Sequence, residues 1–407
     1  MSELDTAGES VEEAGERHAS WAELFFDLVV AAGVAALAHV LSGQLDLAAL
    51  GLYALLFLAF WLSWTTFMLY SNVAAEQTHV LRLLIGMFGL GVMAASVPGV
   101  AHTVLGNGAD GLPLTVFTIA YIATRIYGSQ SWRRGEILLD FPVVQYSAGL
   151  LPWLVSIWVG EPWKMALWAV GVGLDLLLML FLSGEKIVAR LQAKFTALAA
   201  TQRRLGAAHD RKAPVVHGVS VDLAHLSERL GLFVIIVLGE SVVQVVDAAA
   251  ATPYSVGLLA TGIASFVLLA GMFGVSVVFG YAGLPHLHAG HISTRAALGL
   301  HCLVTGVVGT MAVSLSAVVT QGSDPLSDQG RWLLCGAVAA YFTLGVVAGV
   351  ASRNSGLLRL ISRVTTGIAV PLLLGLLATD VSGRTLVVCL ALLVLAHLWG
   401  EQRFAPE

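Results

Sequence analysis

The sequence predicts an all-α fold, a polytopic bundle of transmembrane helices. Three observations carry this prediction. Of 407 residues, 57% are hydrophobic and only 12% are charged, whereas soluble globular chains carry roughly a quarter charged residues. The mean hydropathy is +0.84. Apolar stretches of about 15 to 25 residues, long enough to cross a hydrocarbon core of roughly 30 Å, recur along most of the chain.

About twelve such spans are read, at 21–41, 47–70, 81–104, 112–128, 137–159, 163–183, 226–247, 256–280, 296–319, 332–351, 364–379 and 385–400, the last two short enough to form one re-entrant pair. Lys and Arg near span ends are retained in the cytoplasm, whereas acidic residues count little. With a cytoplasmic N-terminus, all but Lys164, Arg331 and Arg384 of the 21 basic residues fall on or near the cytoplasmic side. Both termini are therefore expected in the cytoplasm. Residues 1–20 carry clustered acids and no apolar h-region, so they read as a disordered acidic tail and not as a cleaved signal peptide.

Residues 184–220 form the long polar interruption. They are expected to be a solvated cytoplasmic linker; the helical spacing of Lys186, Arg190 and Lys194 offers an amphipathic helix on anionic lipid as the alternative. The linker separates a first membrane half, 21–183, from a second, 221–407. Six spans in each would place the halves in the same orientation, as in a parallel repeat. Cys302, Cys335 and Cys389 lie in apolar spans without CxxC spacing and read as core residues. The tryptophans at 21, 61, 64, 132, 153, 158, 163 and 168 mostly fall near span ends and read as an interface belt.

The chemistry resides in polar groups at membrane depth, where an ionisable side chain must face protein, water or a partner. Glu240, inside the run Glu228–Ser241, is the first suspect. It lies three turns, about 16 Å, beyond Arg229, with Gln244 one turn further on the same face. Glu23 and Asp27 stack one turn apart near the start of the first span, about 6 Å along the axis. Their repulsion is relieved if one holds a proton or if Arg82, Arg125 or Arg229 sits between them. Asp222, His225 and Arg229 form a stripe at spacings of three and four, with Glu228 on its flank. Asp140 and Asp175 add acids on the same half of the membrane, and the whole set fits one chamber open to the cytoplasm. His286, His288 and His291 are a weak metal candidate in a loop. No cofactor is expected, because no metalloprotease, Walker, nucleophile-elbow or dinucleotide motif occurs in its required context.

The segments WAELFFDLVVAAGVAALAHVL (Trp21 to Leu41) and HLSERLGLFVIIVLGESVV (His225 to Val243) resemble the two signature regions of the bacterial low temperature requirement A family, and Trp61, Trp64, Thr65, Tyr70, Asn72 and Gly173-Leu-Asp175 add intermediate support. The resemblance implies an inner-membrane protein linked by name to growth in the cold. It carries the family's polar signature onto Glu23, Asp27, His39, Asp175, His225, Glu228, Arg229 and Glu240. Two departures are visible. Val278-Phe279-Gly280 stands where the family often has Tyr-Phe-Asp, and no acid directly follows Asn72.

Three functions are compatible with these residues. The first is a proton- or ion-coupled secondary transporter of a small solute, with Glu240, Asp27 and His225 as coupling groups. The second is an intramembrane enzyme acting on a lipid or apolar metabolite, with Glu240, Asp27 or His225 as general acid or base. The third is a structural or sensory protein without turnover. The expected partners are membrane lipids and a small molecule or ion, with no nucleic acid.

Overall fold

The computed structural model describes residues 18–42, 46–106, 108, 111–132, 135–204, 215–278, 292–351 and 357–404. In chain order the helices up to residue 204 are α1 (Trp21–Ser42), α2 (Leu47–Ala74), α3 (Val80–Leu105), α4 (Leu112–Ser129), the short α5 (Leu150–Val155), α6 (Trp163–Phe181) and α7 (Gly184–Arg204). They are followed by α8 (Leu223–Ala250), α9 (Val256–Phe273), α10 (Thr294–Gln321), α11 (Asp328–Ala351), α12 (Leu357–Ser362), α13 (Val370–Leu377) and α14 (Gly383–Phe404). Helix starts follow local chemistry. The side chains of Asp46, Asp222, Ser255 and Ser293 accept backbone N–H groups that the first turn leaves free.

Among the described residues, nine helices are long and apolar enough to cross a membrane. They lie at Leu47–Gln77, Val80–Leu105, Trp163–Phe181, Leu223–Ala250, Val256–Ser276, Thr294–Gln321, Asp328–Ala351, Leu360–Leu377 and Gly383–Gly400. The chain is thus an all-α, multi-pass membrane protein. The stretch 137–159, expected as one span, is not one helix. It runs as strand β1 (Glu136–Leu138), a 3-10 turn at Pro142–Val144 that Pro142 opens, α5, which Gly149 precedes, and a second 3-10 turn at Ser156–Trp158. Broken backbone at membrane depth survives only inside protein, and Phe141, Val143, Val144 and Trp153 are buried accordingly. The expected linker is also partly ordered. It forms α7 and strand β2 (His217–Val219), which pairs in parallel with β1, while Gln192 of α7 accepts the Val216 N–H at 2.9 Å. Residues 1–17 of the acidic tail, 205–214 of the linker and His286, His288 and His291 lie outside the described residues.

Every residue of α2 from Trp61 to Asn72 is buried, as expected of a helix surrounded by other helices. Around it, α1 packs chiefly on α3 and α3 on α4, while α8 packs chiefly on α10 and α10 on α11; α1 meets α8 where the two sets join. Gly89 permits the close approach of α3 and α4, since a Cβ there would collide with Thr124 Oγ1. Cys302 and Cys335 are core residues as expected, but Cys389 is exposed on α14. The tryptophan belt also needs correction: Trp61, Trp64, Trp153 and Trp168 are fully buried, and only Trp21, Trp158 and Trp163 of the expected set are strongly exposed.

At the end of α9 the backbone widens into a π-turn, Gly274–Val278. The Tyr341 hydroxyl of α11 donates to the Met272 carbonyl there at 3.0 Å and also meets Ser276. A second π segment, Arg363–Ala369, links α12 to α13, and Thr366 in it contacts His397 Nδ1 at 3.2 Å.

Candidate functional site

Asp27 and Arg229, each nearly two turns inside its helix, α1 and α8 respectively, meet at the junction between the two helix sets. Arg229 donates twice to the Asp27 carboxylate, Nε to Oδ2 at 3.0 Å and Nη2 to Oδ1 at 2.7 Å. Its Nη1 lies 3.0 Å from Glu23 Oε1 and donates to Ser71 Oγ at 3.2 Å. Trp64 Nε1 donates to Asp27 Oδ1 at 2.7 Å. Glu23, Asp27, His225 and Arg229 are each at most 1% exposed, so the charges are met by protein groups and not by bulk water. Of the three cations considered for the Glu23–Asp27 pair, Arg229 is the one that takes the place.

His225 continues the network. Its Nε2 lies 3.5 Å from Glu23 Oε2 and its Nδ1 lies 3.2 Å from Asn72 Nδ2. The Asn72 amide is oriented by Asp222, whose N–H donates to Oδ1 at 2.8 Å and whose carbonyl accepts from Nδ2 at 3.0 Å. With Nδ2 as donor, His225 Nδ1 accepts, and the ring proton sits on Nε2 facing Glu23. Asp222 meanwhile caps α8 through Ala224 N–H and His225 N–H. Ser20 closes the far side, its N–H and hydroxyl both donating to Glu23 Oε2 at 2.9 Å.

A second buried pair stands apart from the first. Arg125 Nη2 of α4 donates to Asp175 Oδ2 of α6 at 2.9 Å. Arg125 Nη1 donates to the Leu62 carbonyl at 2.9 Å and to Thr66 Oγ1 at 2.6 Å, so the pair is fastened to α2. Ser147 Oγ and Gly149 N–H, from the broken stretch, also donate to the Asp175 carboxylate. A side chain at 149 would strike the Gly171 carbonyl and the Asp175 carboxyl carbon, so only glycine brings that backbone N–H within reach.

The expected single chamber therefore divides. Glu23, Asp27, His225 and Arg229 converge, whereas Asp175 joins Arg125. Asp175 has a guanidinium to itself in Arg125, whereas Glu23 and Asp27 share that of Arg229. Asp140 lies outside both groups, accepting the Val221 N–H at 3.4 Å. Glu228 sits at the rim, one-third exposed, 3.4 Å from His18. Glu240 is half-buried, and its electrostatic neighbours, Gln244 and Asp247, lie on its own helix. Gln244 contributes its carbonyl to Ser316 of α10 at 3.0 Å. No group of three or more His, Cys, Asp or Glu suited to a metal ion occurs among the described residues, and the His39 side chain is outside them.

Four participants were not singled out as site residues from sequence: Trp64, Ser71, Asn72 and His301. The first three share one face of α2 at helical spacing. His301 of α10 is fully buried, stacks on Trp64 with ring centroids 5.2 Å apart and accepts from Trp61 Nε1 at 3.3 Å.

No curated protein and no solved structure matches the chain. The profile described as bacterial low temperature requirement A protein (LtrA) matches residues 18–395 and so spans both ion-pair sites. With nearly the whole chain matched, this multi-pass membrane protein belongs to the LtrA family.

Proposed function

We propose that the protein is a proton-coupled secondary transporter of a small solute, and that the Glu23–Asp27–His225–Arg229 network is its coupling element. The supporting observation is the charge balance between α1 and α8. Two carboxylates share one guanidinium, so with His225 neutral the four groups carry one net negative charge, and one bound proton brings them to zero. A proton on His225 Nδ1 would face the Asn72 amide N–H, two donors without an acceptor. The amide must then turn, releasing its contacts with Asp222 and loosening α2 from the start of α8. Proton occupancy is thereby tied to helix contact, which is what coupled transport requires.

The packing order adds support. The pattern α1–α3–α4 has a counterpart in α8–α10–α11, as a parallel repeat of about twelve spans in two halves, 21–183 and 221–407, would produce, and transporters of that design place their sites between repeats. In this reading the network lies near the cytoplasmic face of a bacterial inner membrane, and both termini are cytoplasmic. The enzyme alternative is less well supported, because Asp27 and His225 are already engaged by protein partners.

The test is reconstitution into liposomes containing a pH-sensitive dye, with an imposed proton gradient and a panel of small solutes. Solute-dependent proton flux for wild type, lost in His225→Gln and in Glu23→Gln, is expected. Absence of such flux across a broad panel, from protein that remains folded, overturns the proposal.

A further inference from the structure

Beside the network, at the turn between α2 and α3, the surface holds a cleft of about 710 Å³, within the range of small-molecule sites. Its walls include Tyr70, Glu76, His79, Arg82, Trp132 and Glu136. Tyr70 and Trp132 meet edge to face, with centroids 6.4 Å apart. Arg82 is held in place, its guanidinium 5.9 Å from the Tyr70 ring centre and its Nη1 donating to the Gln130 carbonyl at 3.3 Å. Charges of both signs line this cleft, yet among the described residues no ion pair joins Arg82 to Glu76 or Glu136. Opposite charges that the described residues leave without an ion pair, facing one cavity, suit a ligand that carries both.

The backbone at the rim is strained as well. Ala75, with φ 50° and ψ −126°, adopts a conformation that favours glycine. Its carbonyl accepts from Thr78 Oγ1 at 2.7 Å, which closes the turn over the cleft. Strain of this kind is retained where a particular backbone shape is needed.

We propose that the cleft binds a compact zwitterion, its anionic group at Arg82, its ammonium at Glu76 and Glu136, and its apolar part on the Tyr70 and Trp132 rings. A free amino acid or short peptide presents this chemistry, and so does the ethanolamine phosphate headgroup of a lipid. The proposal supplies a solute class for the transport reading and rests on that reading only for its use. Binding is measured at equilibrium without a gradient, so the two fail separately.

The experiment uses the full chain in phosphatidylglycerol nanodiscs, titrated calorimetrically with L-alanine, L-phenylalanine and dialanine, and with propionate and propylamine as single-charge probes. A parallel arm measures retention of phosphatidylethanolamine through purification. One zwitterion or the ethanolamine lipid is expected to bind. Arg82→Gln and Glu136→Gln are each expected to weaken it about tenfold to hundredfold, the loss of one charged hydrogen bond, while Arg82→Lys retains most of the affinity. Variants are compared only when their unliganded melting midpoints match wild type. Binding of propionate or propylamine as tight as that of the zwitterions, indifference of binding to both Gln substitutions, or no binding in either arm overturns the proposal.

Discussion

Replacing Arg229 by Gln tests whether the buried charges depend on one another. The guanidinium makes two hydrogen bonds to Asp27, contacts Glu23 at 3.0 Å and donates to Ser71. Gln keeps similar bulk but leaves two carboxylates, each at most 1% exposed, without their cation. Removing one partner of a buried pair costs about 3–5 kcal/mol, and two acids sharing one base place this substitution at the upper end. A loss of that size shifts the folding equilibrium by roughly two to four orders of magnitude. The companion variant, Glu23→Gln with Asp27→Asn and Arg229→Gln, removes every charge together and should recover most of the loss, because an uncharged cluster of similar volume is often as stable as an ion pair. Denaturant unfolding of the purified protein in bicelles, followed by tryptophan fluorescence, measures both. The reasoning is refuted if Arg229→Gln stays within about 1 kcal/mol of wild type, or if the triple variant is no more stable than the single one.

Four further outcomes are expected. Gly149→Ala should destabilise by about 2–4 kcal/mol, since its Cβ would collide with the Gly171 carbonyl and the Asp175 carboxyl; the same unfolding assay reads it. Asp175→Asn leaves Arg125 buried without its anion and should cost about 3 kcal/mol or more, with added proteolytic cleavage in 139–158 because Ser147 and Gly149 lose a charged acceptor. Ala75→Gly relieves a positive φ and should raise stability by about 1 kcal/mol, seen as a higher melting midpoint. Glu240→Gln should change stability by less than about 1 kcal/mol, since Glu240 is half-buried and its electrostatic neighbours lie on α8 itself; a larger loss in the melting midpoint would reveal a partner on another helix.

The all-α, multi-pass character was legible because membrane helices advertise themselves by length and apolarity, although nine helices among the described residues, not twelve, are long and apolar enough to cross a membrane. The α1 and α8 boundaries follow directly from the runs that begin at Trp21 and near His225. The break in the stretch 137–159 is not legible because hydropathy counts apolar residues without asking whether the backbone can stay helical, and Pro142 and Gly149 act on the backbone. In the site, Glu23, Asp27, His225 and Arg229 were found by their cost at membrane depth, but which acid meets which base is a matter of helix neighbours, and no local spacing encodes that. Glu240 stands foremost in the sequence for the same reason: depth is visible there and direction is not. Trp64 and Asn72, which support the family resemblance, do not stand out as site residues for a different reason. Neither carries charge, so neither shows the cost of burial that exposed the other four, although their places on one face of α2 beside Ser71 were there to be read.

Asp27 and Arg229 stand 202 residues apart in the chain. At ordinary synthesis rates the arginine emerges on the order of 10 to 40 s after the aspartate. During that interval α1 carries two acids with no counterion, so its charged end must wait at the water interface or lean on a helper until α8 arrives. Completion of the bundle is thus gated by late delivery of a single cation, and a nascent chain halted before α8 should be recognised as unfinished by the quality-control proteases of its membrane.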